Sequence, residues 1–189
     1  VHIAGLDYEV YSDSADIVDP VLCAIKPTDT DPDYAYVQCS NGKKFALSLA
    51  GAANLAGYVK DEDYAKGNVE AARKAWKPLA DNMGMSVEEA AKEALRLSAV
   101  KNGKVVKALI EDYNMDPRTI VLVGGGGGAA AVVPHLAETL SMKHRNAKNA
   151  SVISTIGVAL AMIRDTVERT IANPTQEDIL AVRREAEER

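Results

Sequence analysis

An α/β fold, a mixed sheet flanked by helices, is predicted by three features of the chain. Ile120 to Val123 is a β-branched apolar run, short enough for a buried strand, and it enters five glycines, Gly124 to Gly128, before an alanine-rich helix. Two long stretches, after Asn68 and after Ser86, repeat apolar residues at helical spacing behind capping residues. Residues 1–50 read as short strands around Asn41-Gly42, the strongest short hairpin signal.

In order, Val1–Ile3, Tyr8–Tyr11 and Val21–Ile25 are strand candidates between acidic or proline turns. Thr28 to Asp33 is dense in carboxylates but lacks alternating ligands and a closing glutamate, so it reads as a solvated turn rather than a metal loop. Tyr34–Ser40 and Lys43–Leu49 flank the hairpin turn, whose two central residues are expected at positive φ, with Tyr34, Tyr36, Phe45 and Leu47 as apolar partners. Ala52 to Leu55 begins a short helix. The helix capped by Asn68 buries Val69, Ala72, Ala75, Trp76, Leu79 and Ala80, with Pro78 arguing for a kink or break and Gly84 ending it. Ser86-Val-Glu-Glu89 is a capping box opening a helix to about Tyr113, with a stripe of Val87, Ala90, Ala91, Ala94, Leu95, Val105, Val106, Leu109 and Ile110. Lys101-Asn-Gly-Lys104 interrupts that stripe, either as a solvent-facing bend or as a place where the chain approaches a ligand. After the glycines, Ala130, Val133, Leu136, Ala137 and Leu140 form a buried helix side. Met142 to Ala147 is a connecting strand or loop, residues 149–171 a further helix, and Thr175 starts a final, mostly charged one.

With 189 residues, 47% hydrophobic and 26% charged, the chain can bury a core. A net charge of −5 without a basic stripe argues against nucleic acid as a partner. No apolar stretch approaches the ~20 residues of a membrane span, and no secretory signal pattern is visible. Cys23 and Cys39 lack CxxC spacing and suggest buried thiols in a reducing, cytoplasmic setting. Val1 at the start and the charged run at the end lead us to expect a piece of something longer.

Strand, glycine run and helix is how a backbone approaches a phosphate or nucleoside, because glycines remove bulk and the helix start offers unpaired N–H groups. A strain-relieving turn needs one or two glycines; five favour a ligand. No GxSxG, HExxH or GxxxxGK[ST] is present, and His2, His135 and His144 lack metal-ligand spacing. Gly124, Gly126 and Ala129 fit a degenerate dinucleotide motif. No acid follows between Ser141 and Arg164 to hold a ribose; Lys143, His144 and Arg145 could at best suit a ribose phosphate, and such an NADP-type dehydrogenase would need a second strand ending at Lys143–Arg145 beside the glycines.

Asn68-Val-Glu-Ala-Ala-Arg73, Met85-Ser-Val-Glu-Glu-Ala-Ala91, Tyr113-Asn-Met-Asp-Pro-Arg118, Val121 to Gly128 and the helix from Ser151 resemble, in order and spacing, the hydantoinase/oxoprolinase family. Asp31-Pro32 and Asn54-Leu55 agree, so the resemblance covers roughly residues 28–172. It implies a ribonuclease-H-like half of an actin/sugar-kinase/chaperone-type ATPase over residues 1–172, with 173–189 a charged terminal helix leading to further sequence. It also implies an ATP-dependent hydrolase opening cyclic amides of hydantoin or 5-oxoproline type, with ATP and Mg2+ in the complete protein. Phosphorylation of the poorly electrophilic amide oxygen by ATP would make ring opening feasible. Two halves would close on the nucleotide; this chain would supply the adenosine wall, inactive without the missing N-terminal half, and a second subunit is a possible partner. By matching position, Gly124, Gly125, Gly126, Gly127 and Gly128 would hold the adenosine, with Lys101, Asn102 and Lys104 as further candidates. The sequence departs from the family at Ala52, where an acid is expected, and in its unbroken glycine run where Gly-Gly-Ala-Gly-Pro is usual. The alternative is a non-catalytic nucleotide-sensing or interaction module of the same fold.

Overall fold

Alanine dominates the interior, and small side chains let helices approach closely, so the core is built from tightly stacked helices beside a small sheet. The computed structural model describes residues 5–26, 28–161 and 166–188. The chain divides into two compact units, Val1–Ser154 and Thr155–Arg189. The strand expected at Val1–Ile3, together with His2, and Ile163 of the expected 149–171 helix lie outside the described residues.

In the first unit, β1 (Asp7–Tyr8), β2 (Val21–Ile25), β3 (Tyr34–Gln38) and β4 (Lys44–Ala46) form a mixed sheet in the order β1-β4-β3-β2. β1 runs parallel to β4, while β2, β3 and β4 form an antiparallel meander. The strand expected through Tyr11 stops at Tyr8, and Glu9–Tyr11 turns as a 3-10 helix that buries Glu9 and Val10. The hairpin forms, but only Gly42 has positive φ (+85°). Gly42 N–H donates to Cys39 O and Cys39 N–H to Lys43 O, so the tight turn centres on Ser40-Asn41 with Gly42 as the left-handed residue after it. On β4 the expected face turns inward, with Phe45 buried and Leu47 after it packed on the core, but on β3 the inward residue is Val37, paired with Phe45, whereas Tyr34 is exposed. Register has a period of two, so choosing tyrosine over valine for the core moves every side chain of β3 to the wrong face.

Helix α1 (Leu49–Leu55) starts three residues before expectation, because Ser48 caps it by accepting the Gly51 N–H. α2 (Val69–Met83) is capped by Asn68 and closed by Gly84 at φ +66°. It continues through Pro78 to Met83, correcting the expected break. Its flanking face, Ala71, Ala75, Trp76 and Ala80, is buried on both sides of the proline, and that burial outweighs one missing backbone bond. α3 (Val87–Asp112) has the expected capping box. Leu95 and Ile110 are buried as expected, but between them Ala99 and Gly103 face inward while Val105 and Leu109 of the expected stripe are exposed.

β5 (Val121–Gly124), α4 (Ala129–Thr139) and β6 (Lys143–Asn146) form a βαβ unit, with β6 parallel to β5 and Gly124 opposite Asn146. α1, α2, α3 and α4 share one apolar cluster in which Leu55, Trp76 and Leu95 are the large members among many alanines. A second cluster, around Val37 and Phe45, joins the sheet to Ala71 and Ala75 of α2. Beyond β6, Ala150–Val152 is a 3-10 turn and α5 (Ile153–Leu160) is short and exposed throughout, so the expected 149–171 helix does not persist to residue 171. In the second unit, α6 (Gln176–Glu187) forms behind a Thr175/Asp178 capping box with no buried residue. No described helix is long and apolar enough to cross a membrane.

Candidate functional site

The five glycines are needed for different reasons. A Cβ on Gly124 would lie 2.7 Å from Asn146 Oδ1 and 2.9 Å from Ala129 Cβ, so this glycine lets α4 pack on its strand. Gly125 has a tighter than usual neighbour, Ile153 Cγ2 at 3.2 Å from the added carbon. Gly126 sits at φ +95° and donates its N–H to Ala150 O at 2.7 Å. On Gly127 a Cβ would come within 2.8 Å of Tyr64 Cδ1, so the phenol ring rests on this residue. Gly128 is the N-cap of α4, has no side-chain cap and has open space where a side chain would go. Part of the run is thus the packing requirement of a tight turn, while Gly126 and Gly128 have open space beside them and Gly127 lies under Tyr64.

Tyr64 carries no signal in the sequence, yet it separates two depressions. On one side Gly126 and Gly127 line a 330 Å3 cavity whose charged residues are Glu62 and Asp63, with Asn146, Asn149 and Ser151 as further polar groups. On the other, Gly128 lines a 710 Å3 cleft with Tyr8, Tyr11, Ser48 and Lys66, where Lys66 is the charged residue. The loop carrying Glu62 to Tyr64 is fixed from below. Buried Asn54 donates to Ala65 O at 2.9 Å and accepts the Gly67 N–H at 3.1 Å. Above it, Tyr58 Oη donates to Glu138 Oε2 at 2.6 Å and lies 3.0 Å from His135 Nδ1. With the phenol proton committed to Glu138, Nδ1 must be the imidazole donor, which leaves Nε2 as a buried acceptor without a partner among the described residues. The Glu138 hydrogen bond, then burial, pushes the Tyr58 phenol up to about 12.

Lys101, Asn102 and Lys104 do not join the glycines. Gly103 faces Leu140, its added carbon 3.2 Å from Leu140 Cδ2, just past the C-terminal end of α4. The glycine turn is at the other end of that eleven-residue helix, roughly 16 Å away at 1.5 Å per residue. Lys101 and Lys104 are exposed, and Asn102 donates to Ser98 Oγ. The glycine in this stretch therefore serves close helix packing, and α3 runs unbroken through it.

A buried carboxyl is equally silent in the sequence. Ala52, where the resemblance led us to expect an acid, is fully buried in the apolar cluster. Glu9 instead brings its side chain to the first turn of α1. It is 0% exposed, and Oε1 accepts from Ser48 N–H at 3.1 Å, Ser48 Oγ at 2.9 Å and Trp76 Nε1 at 3.3 Å. Oε2 is buried without a partner among the described residues. A Cβ on Gly51 would sit 1.8 Å from Oε1, so Gly51 makes the room. Burial raises the Glu9 carboxyl from the ordinary 4.5 to about 7, against the opposing hydrogen bonds from Ser48 and Trp76. The residue is unreadable in the sequence because its partners come from separate segments.

The βαβ unit places a second strand, Lys143–Asn146, beside the glycines, which meets the strand requirement of the NADP-type alternative, while the acid of an NAD-type site is missing. Comparison with known proteins decides the family. Residues 15–167 match the family model described as hydantoinase/oxoprolinase. The chain belongs to that family. It is similar in structure to the nucleotide-free form of acetone carboxylase, an enzyme of ATP-dependent acetone carboxylation, with TM-score 0.50 and 19% identity, covering 75% of this chain. At that identity the likeness is one of fold. The chain spans 22% of that protein's length. No curated protein matches the chain.

Proposed function

We propose that the glycine turn is the adenosine-facing wall of the nucleotide cleft in an ATP-dependent hydrolase of cyclic amides, of hydantoin or 5-oxoproline type. In this reading residues 1–172 are the C-terminal, ribonuclease-H-like half of an actin-like ATPase architecture, and 173–189 lead onward. The cytoplasm would be its setting. The observation that carries the reading is the 330 Å3 cavity at Gly126 and Gly127, whose charged lining is Glu62 and Asp63. Carboxylates accept hydrogen bonds from ribose hydroxyls and repel phosphates. The turn therefore suits a nucleoside, with the phosphates held elsewhere. Gly126 and Gly127 would let the backbone approach the sugar, and Tyr64 offers a face for the base.

ATP, when bound, would supply the phosphoryl group that activates the amide oxygen. The residues of this chain would bind and orient the nucleoside and exclude water from one wall. Among the described residues no cluster of three or more His, Cys, Asp or Glu side chains could hold a metal ion.

Calorimetry on the full-length protein tests the reading, with adenosine and ADP titrated into wild type and Gly126→Val. A β-branched residue at φ +95° distorts the turn, and binding is expected to weaken by about tenfold or more, a loss of roughly 1.4 kcal/mol or more. Undiminished binding in the variant would sink the proposal.

A further inference from the structure

We infer that Tyr58, tied to Glu138 and His135 of α4, is a positioning residue that sets the width of the glycine-turn cavity and thereby its preference for ligands bearing ribose hydroxyls. The inference rests on the nucleoside reading of the glycine turn and names what tunes that site. One wall of the cavity is the turn itself with Ala129 and Ala130, and another is Glu62, Asp63 and Tyr64. This second wall belongs to residues 56–68, which join α1 to α2 through turns and bends without helix or strand. Glu62 and Asp63 also line a second cavity, of 730 Å3, together with Tyr58, Lys60 and Glu138. With open volume in both cavities, the acidic pair is held by where the chain is pinned before and after it.

After the pair, Ala65 is buried and its carbonyl accepts from Asn54, while Gly67 N–H donates to Asn54 Oδ1. Before it, Val59 is buried in the apolar cluster. Burial is non-directional, so it keeps Val59 in the core without fixing how far the loop stands from α4. Directional contacts do that. His135 and Glu138, three residues apart on α4, share one helix face. Among the described residues, both hydrogen bonds that join residues 56–68 to α4 use Tyr58 Oη, at 2.6 Å from Glu138 Oε2 and 3.0 Å from His135 Nδ1. A hydroxyl bonded to a carboxylate is of the stronger, charge-assisted kind. The Tyr58 and His135 rings also meet edge to face, with centroids 5.2 Å apart. Loss of the hydroxyl therefore leaves the rings packed and frees only the tie that sets the spacing. The acidic pair then has the larger cavity to move into, away from the ribose hydroxyls.

Calorimetry on the full-length protein tests this with adenosine and 2′,3′-dideoxyadenosine, which lacks both ribose hydroxyls. Wild type is expected to prefer adenosine by about tenfold or more, since a site built to hydrogen-bond a hydroxyl rejects the analogue without it. Tyr58→Phe should weaken adenosine to about the level of the dideoxy compound and leave the latter unchanged, so the preference disappears. Glu138→Ala should behave the same way, whereas Glu138→Gln, which keeps an oxygen acceptor for the Tyr58 proton, should retain most of the preference. No preference in wild type, a preference unchanged in Tyr58→Phe, or a loss shared equally by both ligands would each overturn the inference. Hydrogen exchange of the Asp63 and Lys66 amides, bonded to Lys60 O and Asp63 O, gives a reading that needs no ligand. Faster exchange there in Tyr58→Phe, with α2 unchanged, supports the positioning role, and unchanged exchange overturns it. If neither nucleoside binds wild type, the nucleoside reading falls, and the exchange result alone decides whether Tyr58 positions the loop.

Discussion

Replacing Glu9 by Gln should remove a pH dependence from the stability of the fold. Glutamine keeps an oxygen to accept from Ser48 and Trp76 but cannot ionise. In the wild type the carboxyl ionises near pH 7 when folded and near 4.5 when unfolded, because the charged form is desolvated. Between those values the folded chain holds the proton and the unfolded chain has released it. Raising the pH through this window therefore favours unfolding. At about 1.4 kcal/mol per pH unit of displacement, the wild type should lose about 3 kcal/mol between pH 4.5 and 7, then level off. Urea denaturation from pH 5 to 8 reads this directly, since the variant removes one titration and leaves the surface ion pairs in place. Glu9→Gln should show a flatter curve, with its advantage over wild type growing toward pH 7 and constant above. Parallel curves for the two proteins would refute the reasoning.

Three further outcomes follow from close contacts. Gly51→Ala should drive a methyl into Glu9 Oε1 and cost about 3 kcal/mol; adding Glu9→Ala should recover part of that loss in a double-mutant denaturation cycle. Gly124→Ala should destabilise by about 1–3 kcal/mol because Asn146 and Ala129 block the methyl, whereas Gly128→Ala meets nothing and should cost less, about 0.5–1 kcal/mol, from the N-cap preference for glycine over alanine. Thermal denaturation of the two glycine variants side by side separates packing glycines from ligand-facing ones. Pro78→Ala should restore a backbone bond inside α2 and raise the melting temperature, with a gain of up to about 3 kcal/mol.

Caps were legible because they depend on neighbours in sequence, whereas the break expected at Pro78 was overridden by burial of the helix face around it. Asn68, Ser86 with Glu89, Gly84 and the strand–glycine–helix at Val121 to Thr139 all appear where the residues place them. Faces were less legible. Both faces of β3 carry residues that can be buried, the tyrosines on one and Val37 on the other, and the helix Ala71–Ala75 packed beneath decides which side turns inward. The second half of α3 shows the same limit: Gly103 is buried because Leu140 sits over it, and nothing within residues 87–112 records that.

The sequence by itself determined the family order, the element types and the glycine turn, since each is written in local propensity and spacing. Only the tertiary structure decided what that turn faces. Tyr64, Glu62 and Asp63 come to it from a loop held by Asn54 and Tyr58, while Lys101 to Lys104 are carried to the far end of α4. Glu9 finds Ser48 and Trp76 across long stretches of chain, and its ionisation is set by the loss of water around it. Hydration and charge depend on everything packed nearby, and a linear pattern carries no record of those distances.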